Sequence, residues 1–160
     1  MAPVSVDPDG AALQALRAVG LRVTTPRRAV VAWLAEHPHS TADAVGSGVR
    51  EQLDSVSTQA IYDVLAACTY AGLLRRIEPA GHPARYERRA GDNHHHLVCR
   101  GCGRTEDVDC VVGARPCLKP VDDHGFALDE AEVLFWGLCP TCLAAARAAG
   151  EVHHHEETVQ

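Results

Sequence analysis

Residues 94–103 read HHHLVCRGCG, and this stretch decides the fold. Its two cysteines have two residues between them, and the same spacing returns later as Cys139-Pro140-Thr141-Cys142. Two such pairs can place four thiolates at the corners of a tetrahedron, which is the arrangement that a structural zinc prefers. The spacing favours a zinc site on Cys99, Cys102, Cys139 and Cys142 over four unrelated buried cysteines or a thioredoxin-like redox pair.

The histidines before the first cysteine pair form a second candidate metal site. If residues 93–98 are extended, His94 and His96 share one face and His95 points away. Two imidazoles make half of a nitrogen and oxygen site of the kind that suits iron, manganese or zinc. A solvated histidine run is the alternative. The side chains that could complete such a site are Glu87, Asp107 and the distant His39.

Composition places the chain among globular, cytoplasmic proteins. Hydrophobic residues make up 46% of it and charged residues 22%. No apolar run approaches the roughly 18 residues of a membrane span, and residues 1–10 lack the basic and then apolar order of a secretory signal. Seven cysteines in a cytoplasmic chain indicate metal-binding or redox thiols rather than a disulfide scaffold. We expect no membrane partner.

The net charge of −6 is unevenly distributed. Residues 1–90 carry 10 arginines and 9 acidic residues, a net charge of +1. Residues 91–160 carry 5 basic and 12 acidic residues, a net charge of −7. If either half contacts DNA, the first half is favoured, because acidic surfaces are repelled by phosphates.

Helix caps and apolar periodicity predict four helices and a hairpin in the first half. The helices cover residues 9–19, 26–36, 42–52 and 58–71, with Thr25, either Ser40 or Thr41, and Ser57 as caps. Predicted strands at 74–78 and 84–88 complete a winged helix-turn-helix, whose last helix would enter a major groove. The residues that this helix offers to DNA are Ser57, Thr58, Gln59 and Tyr62. Contacts with the DNA phosphate backbone would come from Arg17, Arg22, Arg27, Arg28, Arg75 and Arg76. Any small helical domain with scattered arginines is the alternative.

Shorter elements are predicted in the second half. Residues 91–93 (Gly-Asp-Asn) suit a hinge, and strands are expected at 97–98, 106–111, 126–128 and 132–136. The end of a helix is expected at 119–124 and a terminal helix at 143–149, followed by a mobile polar tail at 153–160. The sequence lacks a hydrolase elbow, a phosphate loop and a dinucleotide fingerprint.

Taken together, these residues resemble the ferric uptake regulator family. The motifs are LRVTTPR at 21–27, AIY at 60–62, RYE at 85–87, HHHLVCRGCG at 94–103 and GLC at 137–139. The resemblance covers about residues 11–143. It is greatest to an actinobacterial branch that typically regulates a neighbouring catalase-peroxidase gene, through VDC at 108–110, ARPCL at 114–118 and LDEAEV at 128–133.

The resemblance implies an α+β fold, with an N-terminal winged helix-turn-helix domain and a small α/β dimerisation domain that carries the four-cysteine zinc site. The expected boundaries are 1–90 for DNA binding, 91–152 for dimerisation and metal binding, and 153–160 for the tail. It also implies a regulatory metal, Fe²⁺ or Mn²⁺ with Zn²⁺ able to replace it in vitro. The implied ligands are His39, Glu87, His94, His96 and Asp107.

One ligand position separates sensors of different signals within the family. Family iron sensors tend to have glutamate at the position of Asp107, and peroxide sensors tend to have aspartate. Glu87 points back towards iron sensors. The chain departs from the family in two further ways. Asp63 replaces a frequent basic residue, and Ala114 and Ala131 stand where some members have a further metal site.

The expected function is therefore a metal-dependent, peroxide-responsive repressor that binds double-stranded operator DNA as a homodimer, and not an enzyme. Its expected targets are a catalase-peroxidase gene and its own gene. Cys110 and Cys117 are candidate redox thiols, with buried small hydrophobes as the alternative. The alternative functions are an iron- or zinc-responsive repressor of metal uptake genes, a small metal-dependent oxidoreductase and a zinc-ribbon interaction module.

Overall fold

The computed structural model describes residues 7–88, 94–109, 118–129 and 131–150. The chain divides into two compact units, Met1–Asp92 and Asn93–Gln160. The predicted hinge at 91–93 and the predicted tail at 153–160 lie outside the described residues. The elements of the N-terminal unit are α1 (Pro8–Ala18), α2 (Thr25–Glu36), β1 (Ser40–Thr41), α3 (Ala42–Gln52), α4 (Thr58–Tyr70), β2 (Leu74–Ile77) and β3 (Arg85–Arg88). Those of the C-terminal unit are β4 (His94–Cys99), β5 (Thr105–Asp109), β6 (Leu134–Gly137) and α5 (Pro140–Ala148).

Side-chain caps fix where the helices of the N-terminal unit begin. Thr41 and Ser57 cap α3 and α4, which confirms the prediction. The prediction of Thr25 as the cap of α2 is wrong by one residue. Thr24 has the extended backbone of a cap, and its hydroxyl accepts a hydrogen bond from the N–H of Arg27 at 3.4 Å. Thr25 is therefore the first residue of the helix.

The four helices enclose one apolar core. The inner face of α4 contributes Ile61, Val64, Leu65 and Cys68, all of them buried. Burying each aliphatic side chain of this kind stabilises the fold by about 1.5–3 kcal/mol. The opposite face of α4 is left exposed to solvent.

A three-stranded sheet with the order β1-β3-β2 completes the N-terminal unit. Strands β2 and β3 form the predicted hairpin of the wing, with Leu74 opposite Arg88 and Ile77 opposite Arg85. The two-residue strand β1 was not predicted. It pairs Ser40 with Tyr86 of β3, and this pairing holds the chain that follows α2 against the wing.

The C-terminal unit is built on a sheet with the order β5-β4-β6. Strand β4 pairs antiparallel with β5, placing His96 opposite Asp107, and parallel with β6, placing Cys99 opposite Gly137. The strands predicted at 97–98, 106–111 and 132–136 correspond to β4, β5 and β6, although β4 begins earlier and β6 later than expected.

Two predictions for the segment before β6 are wrong. Residues 119–124 are not helical and residues 126–128 do not form a strand. The backbone φ angles of His124 (50°) and Gly125 (82°) are both positive, which neither a helix nor a strand permits. The carboxylates of the two preceding aspartates accept hydrogen bonds from these residues' N–H groups, so a local turn replaces both elements.

The terminal helix α5 begins at Pro140, three residues before the predicted start. Proline suits the first position of a helix because its φ angle is already helical and it has no N–H to satisfy. No helix in the described parts of the chain has the length and apolar character that crossing a bilayer requires.

Candidate metal centres and DNA-binding surface

Four cysteine sulfurs meet at one end of the C-terminal sheet. Cys99 ends β4, and Cys102 lies in the turn that follows it. Cys139 and Cys142 lie at the start of α5, which the parallel pairing of Cys99 with Gly137 brings alongside. The four Sγ atoms all lie within 4.8 Å of one another. The cluster predicted from the two spacings can therefore hold a metal ion.

The chain around the sulfurs suits a bound ion. A Cβ atom at Gly101 would lie 3.1 Å from the sulfur of Cys142, so a side chain there would crowd the cluster. Gly103 has a φ angle of 70°, a conformation that glycine adopts without strain. Val98 and Cys99 are the only buried hydrophobic residues of the C-terminal unit within its described segments. A unit with so small a core is of the kind that a structural metal usually stabilises.

Hydrogen bonds distribute charge unevenly over the four thiols. The backbone N–H of Cys139 donates to the sulfur of Cys99 at 3.2 Å and lowers the pKa of Cys99 to about 6, against the opposing effect of burial. Hydrogen bonds from Cys142 to the thiols of Cys139, Cys102 and Cys99 raise the pKa of Cys142 to about 12. These hydrogen bonds favour the thiolate form of Cys99 and the protonated form of Cys142, and a divalent cation would displace the protons that remain on the cluster.

A nitrogen and oxygen cluster lies elsewhere on the same sheet. His94 and His96 project from one face of β4, and their ring centroids are 5.0 Å apart. One carboxylate oxygen of Asp107 on β5 lies 3.5 Å from the Nε2 atom of each ring. His95 is on the other face, with its ring edge-on to Phe135. Two imidazoles and one carboxylate form a donor set that suits iron, manganese or zinc.

The other two predicted regulatory ligands meet within the N-terminal unit. The Nε2 atom of His39 lies 2.8 Å from Oε2 of Glu87, and both side chains are at least nine-tenths buried. The second carboxylate oxygen, Oε1, is 3.6 Å from Nη1 of Arg75. Arg75, expected from sequence to reach a DNA phosphate, is thus held against Glu87 with 12% of its side chain exposed.

The residues predicted to contact DNA lie on the exposed outer face of α4. Ser57, Thr58, Gln59 and Tyr62 are all exposed there, and the Ser57 hydroxyl also caps the helix. The helix contains no lysine or arginine. Its exposed carboxylate, Asp63, accepts a hydrogen bond from the amide of Gln59 at 2.8 Å.

Positive charge borders this helix on one side. A groove beside α4 is lined by Arg22, which precedes α2, by Arg27 in the first turn of α2, and by Asp63. Nη1 of Arg27 donates to the backbone carbonyl of Arg22 at 2.9 Å, which holds the Arg27 side chain against the chain that precedes α2. Arg22 thus lies in the same groove as Ala60, Asp63 and Val64 of α4.

Of the three remaining cysteines, the structure describes only Cys68. Cys68 is fully buried, and burial raises the pKa of its thiol to about 11. It is part of the core, as its place on the helix predicted. The candidate redox residues Cys110 and Cys117 lie outside the described residues.

Sequence reasoning missed the arginines that surround the N-terminal ligand pair. Arg75 contacts Glu87, and Nη1 of Arg85 donates to the backbone carbonyl of His39 at 2.8 Å. A signal for Arg85 was present, because alternate residues of a strand share a face and Arg85 is two residues before Glu87. The contact with a residue 46 positions earlier could not be read from the sequence.

Comparisons with known proteins agree with this arrangement. The model of the ferric uptake regulator family matches residues 18–135. The transcriptional regulator FurA of Mycobacterium tuberculosis is 58% identical over 127 residues, which cover 79% of this chain and 86% of that protein. Ferric uptake regulation protein 1 of Mycolicibacterium fortuitum is 58% identical over 121 residues, covering 76% and 75% respectively.

The fold is also found among solved structures. The ferric uptake regulator from Pseudomonas aeruginosa with manganese superposes with a TM-score of 0.66 at 27% identity, over 81% of this chain and 98% of that one. Regulators of this kind are not enzymes, so the alternative of a small oxidoreductase is excluded. The chain therefore belongs to the ferric uptake regulator family and is a metal-responsive transcriptional regulator.

Proposed function

We propose that this chain is a metal-dependent, peroxide-responsive repressor that binds operator DNA as a homodimer and controls a catalase-peroxidase gene and its own gene. The observation that carries the proposal is a second set of metal-ligand side chains, separate from the four cysteines. It consists of His39 with Glu87 in one unit and His94 with His96 and Asp107 in the other. These are nitrogen and oxygen donors, whereas the cysteines offer only sulfur.

The four-cysteine cluster is proposed to bind zinc in a structural role. Four sulfur ligands fill the tetrahedral shell of Zn²⁺ and leave no open position for a substrate or a signal. The small core of the C-terminal unit also supports a structural role, because a bound ion would supply stability that the burial of so few apolar residues does not. Metal analysis of chelator-treated protein should find one zinc per chain, and its absence would contradict this role.

The nitrogen and oxygen set is proposed to bind the regulatory metal, Fe²⁺ or Mn²⁺, with Zn²⁺ able to replace it in vitro. The solved relative from Pseudomonas aeruginosa is described with manganese, which supports this class of ion. In the N-terminal pair, His39 and Glu87 are at hydrogen-bonding distance. A metal ion bound by both side chains would replace this contact.

The regulatory effect is proposed to follow from where the ligands come from. Two belong to the unit that carries α4 and three to the other unit, so one ion that uses both sets restricts how the units move. Such an ion changes DNA affinity only through its preference for the arrangement that binds the operator. A preference of about 5.5 kcal/mol would move that equilibrium from 1:99 to 99:1.

DNA binding is proposed to use α4 and the arginines beside it. Gln59 and Tyr62 lie on the exposed face of α4 and are proposed to contact base edges. Ser57 and Thr58 lie at the start of the helix and are proposed to contact bases or DNA phosphates. Arg22 is proposed as a phosphate contact because it lies in a groove beside α4 and carries the positive charge that α4 lacks.

Dimerisation is proposed to use the C-terminal sheet. Leu97 and Phe135 are paired neighbours on β4 and β6, and nearly half of each side chain is exposed. Strand β6 is an edge of the described sheet and carries no charge, whereas the opposite edge, β5, carries Glu106, Asp107 and Asp109. Two copies of β6 could pair without repulsion, and two copies of β5 could not.

Peroxide sensing is proposed to occur at the regulatory metal. The imidazole of His39, His94 or His96 would be the group oxidised: one oxygen atom of peroxide would enter the ring at a C–H position and the other would leave as water. A ferrous ion held by these residues would supply the chemistry that cleaves the O–O bond. The second route is thiol oxidation, through Cys110 and Cys117 or through the zinc cysteines with loss of zinc. Peptide mass analysis separates the routes, because the first adds one oxygen to a histidine and the second forms a disulfide.

An electrophoretic shift assay with the DNA upstream of the chain's own gene tests the proposal. Mn²⁺ and Fe²⁺ should each produce a shift that a metal-free sample lacks. Peroxide should release the Fe²⁺-loaded protein and leave the Mn²⁺-loaded protein bound, because Mn²⁺ does not reduce peroxide readily. A shift that does not depend on metal would refute the regulatory site.

The second candidate is an iron- or zinc-responsive repressor of metal uptake genes. Glu87 favours it, since the resemblance relates that residue to iron sensors. The same assay separates the two, because this repressor would remain on DNA when its Fe²⁺ form meets peroxide. An Asp107→Glu variant is the matched control, since it keeps the carboxylate and should reduce the peroxide response while retaining metal-dependent binding.

A further inference from the structure

One strand holds His39 by two different groups. On β3, Glu87 contacts the imidazole of His39, while Arg85 donates from Nη1 to the backbone carbonyl of the same residue. Both distances are 2.8 Å. Arg85 and Glu87 are two residues apart, so they share a face of the strand. The ring and the backbone of His39 are therefore held from a single surface.

The backbone of His39 needs such support. Its φ angle is 57°, in the left-handed region that residues with a Cβ atom seldom adopt. The residues on either side are constrained as well, because Pro38 precedes it and Ser40 begins β1. Strained conformations of this kind persist where the surrounding structure holds them, and they are frequent at functional sites.

We propose that Arg85 is a positioning residue for the regulatory metal, acting through His39. By holding the carbonyl, its guanidinium keeps the left-handed turn that directs the imidazole Nε2 atom towards Glu87. The inference rests on the proposed function, in which His39 is a metal ligand.

Orientation, not charge, is the basis of this effect. Arg85 contacts a neutral carbonyl and adds a positive charge, which would by itself repel a metal cation. Removing it should therefore strengthen binding if charge dominates and weaken binding if geometry dominates. Loss of a residue that orients a ligand typically weakens metal affinity by roughly 10- to 100-fold, and we expect geometry to dominate here.

The test measures Mn²⁺ affinity of the zinc-containing, full-length protein from the electron paramagnetic resonance signal of free Mn²⁺. Arg85→Gln should bind Mn²⁺ about 10- to 100-fold more weakly than the parent. Arg88→Gln is the matched control, since it removes the same charge from the opposite face of the same strand, and its affinity should be unchanged. Unchanged or tighter binding by Arg85→Gln would overturn the proposal.

A double-variant cycle separates positioning from folding. In a His39→Ala background, the Arg85→Gln change should cause no further loss of Mn²⁺ affinity, because the residue through which Arg85 acts is gone. An equal loss in both backgrounds would show that Arg85 acts otherwise and would reject the proposal. If His39→Ala itself leaves the affinity unchanged, the proposed metal role of His39 fails, and this inference with it.

Arg85→Lys keeps the test decisive if Arg85→Gln does not fold. Lysine retains the charge and a donor but not the geometry of the guanidinium. We expect it to fold with its zinc and to bind Mn²⁺ more weakly than the parent. Parent-like Mn²⁺ affinity in a folded Arg85→Lys protein would show that any hydrogen-bond donor at this position is sufficient, which would contradict the specific role of the guanidinium.

Discussion

Replacing Gly48 by alanine should destabilise the N-terminal unit, although alanine is the better helix former. Gly48 of α3 faces Trp33 of α2 so closely that a Cβ atom would overlap indole Nε1 and Cε2 and lie 2.7 Å from Cζ2. The gain in helix propensity is about 0.5–1 kcal/mol, while overpacking of a core typically costs about 1–3 kcal/mol. We expect the free energy of unfolding to fall by about 1–2 kcal/mol.

Gly46→Ala in the same helix is the matched control. The nearest atom to its Cβ would be Nη2 of Arg50 at 3.1 Å, the end of a flexible side chain that can move away. This variant should therefore show the propensity gain of about 0.5–1 kcal/mol. Urea unfolding followed by circular dichroism measures both variants. The packing argument is refuted if Gly48→Ala raises the midpoint as much as Gly46→Ala does.

The same pair of variants also tests a link to the metal site. The Trp33 ring stacks on His37 with centroids 4.2 Å apart, and the Trp33 carbonyl is 3.0 Å from Nδ1 of His37. His37 is two residues before His39, so a displaced indole should disturb the start of the ligand segment. Mn²⁺ affinity should fall in Gly48→Ala and remain unchanged in Gly46→Ala.

Three further predictions concern the thiols and the DNA surface. Cys139→Ser should lose zinc to a chelator that the parent resists, because the variant has three sulfur ligands instead of four. Zinc analysis should find no loss in Cys68→Ser, because Cys68 is buried in the core of the N-terminal unit. Because burial raises the pKa of Cys68 to about 11, its contribution to stability is present below about pH 9 and is lost as pH rises to about 11. The free energy of unfolding of the parent, from urea titrations, should thus fall over this range by about 2 kcal/mol more than that of Cys68→Ala, and parallel pH profiles would contradict this. Asp63→Ala should increase affinity for a scrambled duplex and reduce discrimination in anisotropy titrations, since it removes a negative charge and frees the Gln59 amide; unchanged affinities for operator and scrambled DNA would reject that role.

The helices could be predicted because their signals are local. Ser57 caps α4, and the apolar residues that follow it recur at helical spacing and are buried. The error at α2 has the same origin, because Thr24 and Thr25 are equally good caps by residue type. The extended backbone of Thr24 and the hydrogen bond that its hydroxyl accepts from the N–H of Arg27 distinguish them.

The segment before β6 was mispredicted because a local turn competes with the longer-range pattern. A strand was expected at the apolar residues 126–128 and the end of a helix at 119–124. The carboxylates of Asp122 and Asp123 instead accept hydrogen bonds from the following N–H groups, and two residues in succession have positive φ angles. Side chains that satisfy the nearby backbone remove the advantage of either regular element.

The two candidate metal centres differ in how far sequence alone determines them. A Cys-x-x-Cys pair supplies two of the four ligands from one short segment, because its spacing lets both sulfurs bind the same ion. The contact of Asp107 with His94 and His96 depends instead on strand register, and a slip by one residue would turn the carboxylate to the other face of the sheet. Periodicity could suggest that Asp107 was available, but only the pairing of β4 with β5 brings it to both imidazoles.

The contacts that hold His39 in place are harder still to predict from the sequence. It requires the two-residue strand β1, a positive φ angle and a hydrogen bond from Arg85 across 46 residues, none of which has a pattern of its own. A ligand motif identifies the atoms that can bind a metal, whereas affinity also depends on how rigidly those atoms are held. Metal thresholds in related chains should therefore vary with residues such as Arg85 even where all the ligands are identical, and the Arg85→Gln and Arg88→Gln pair measures that dependence directly.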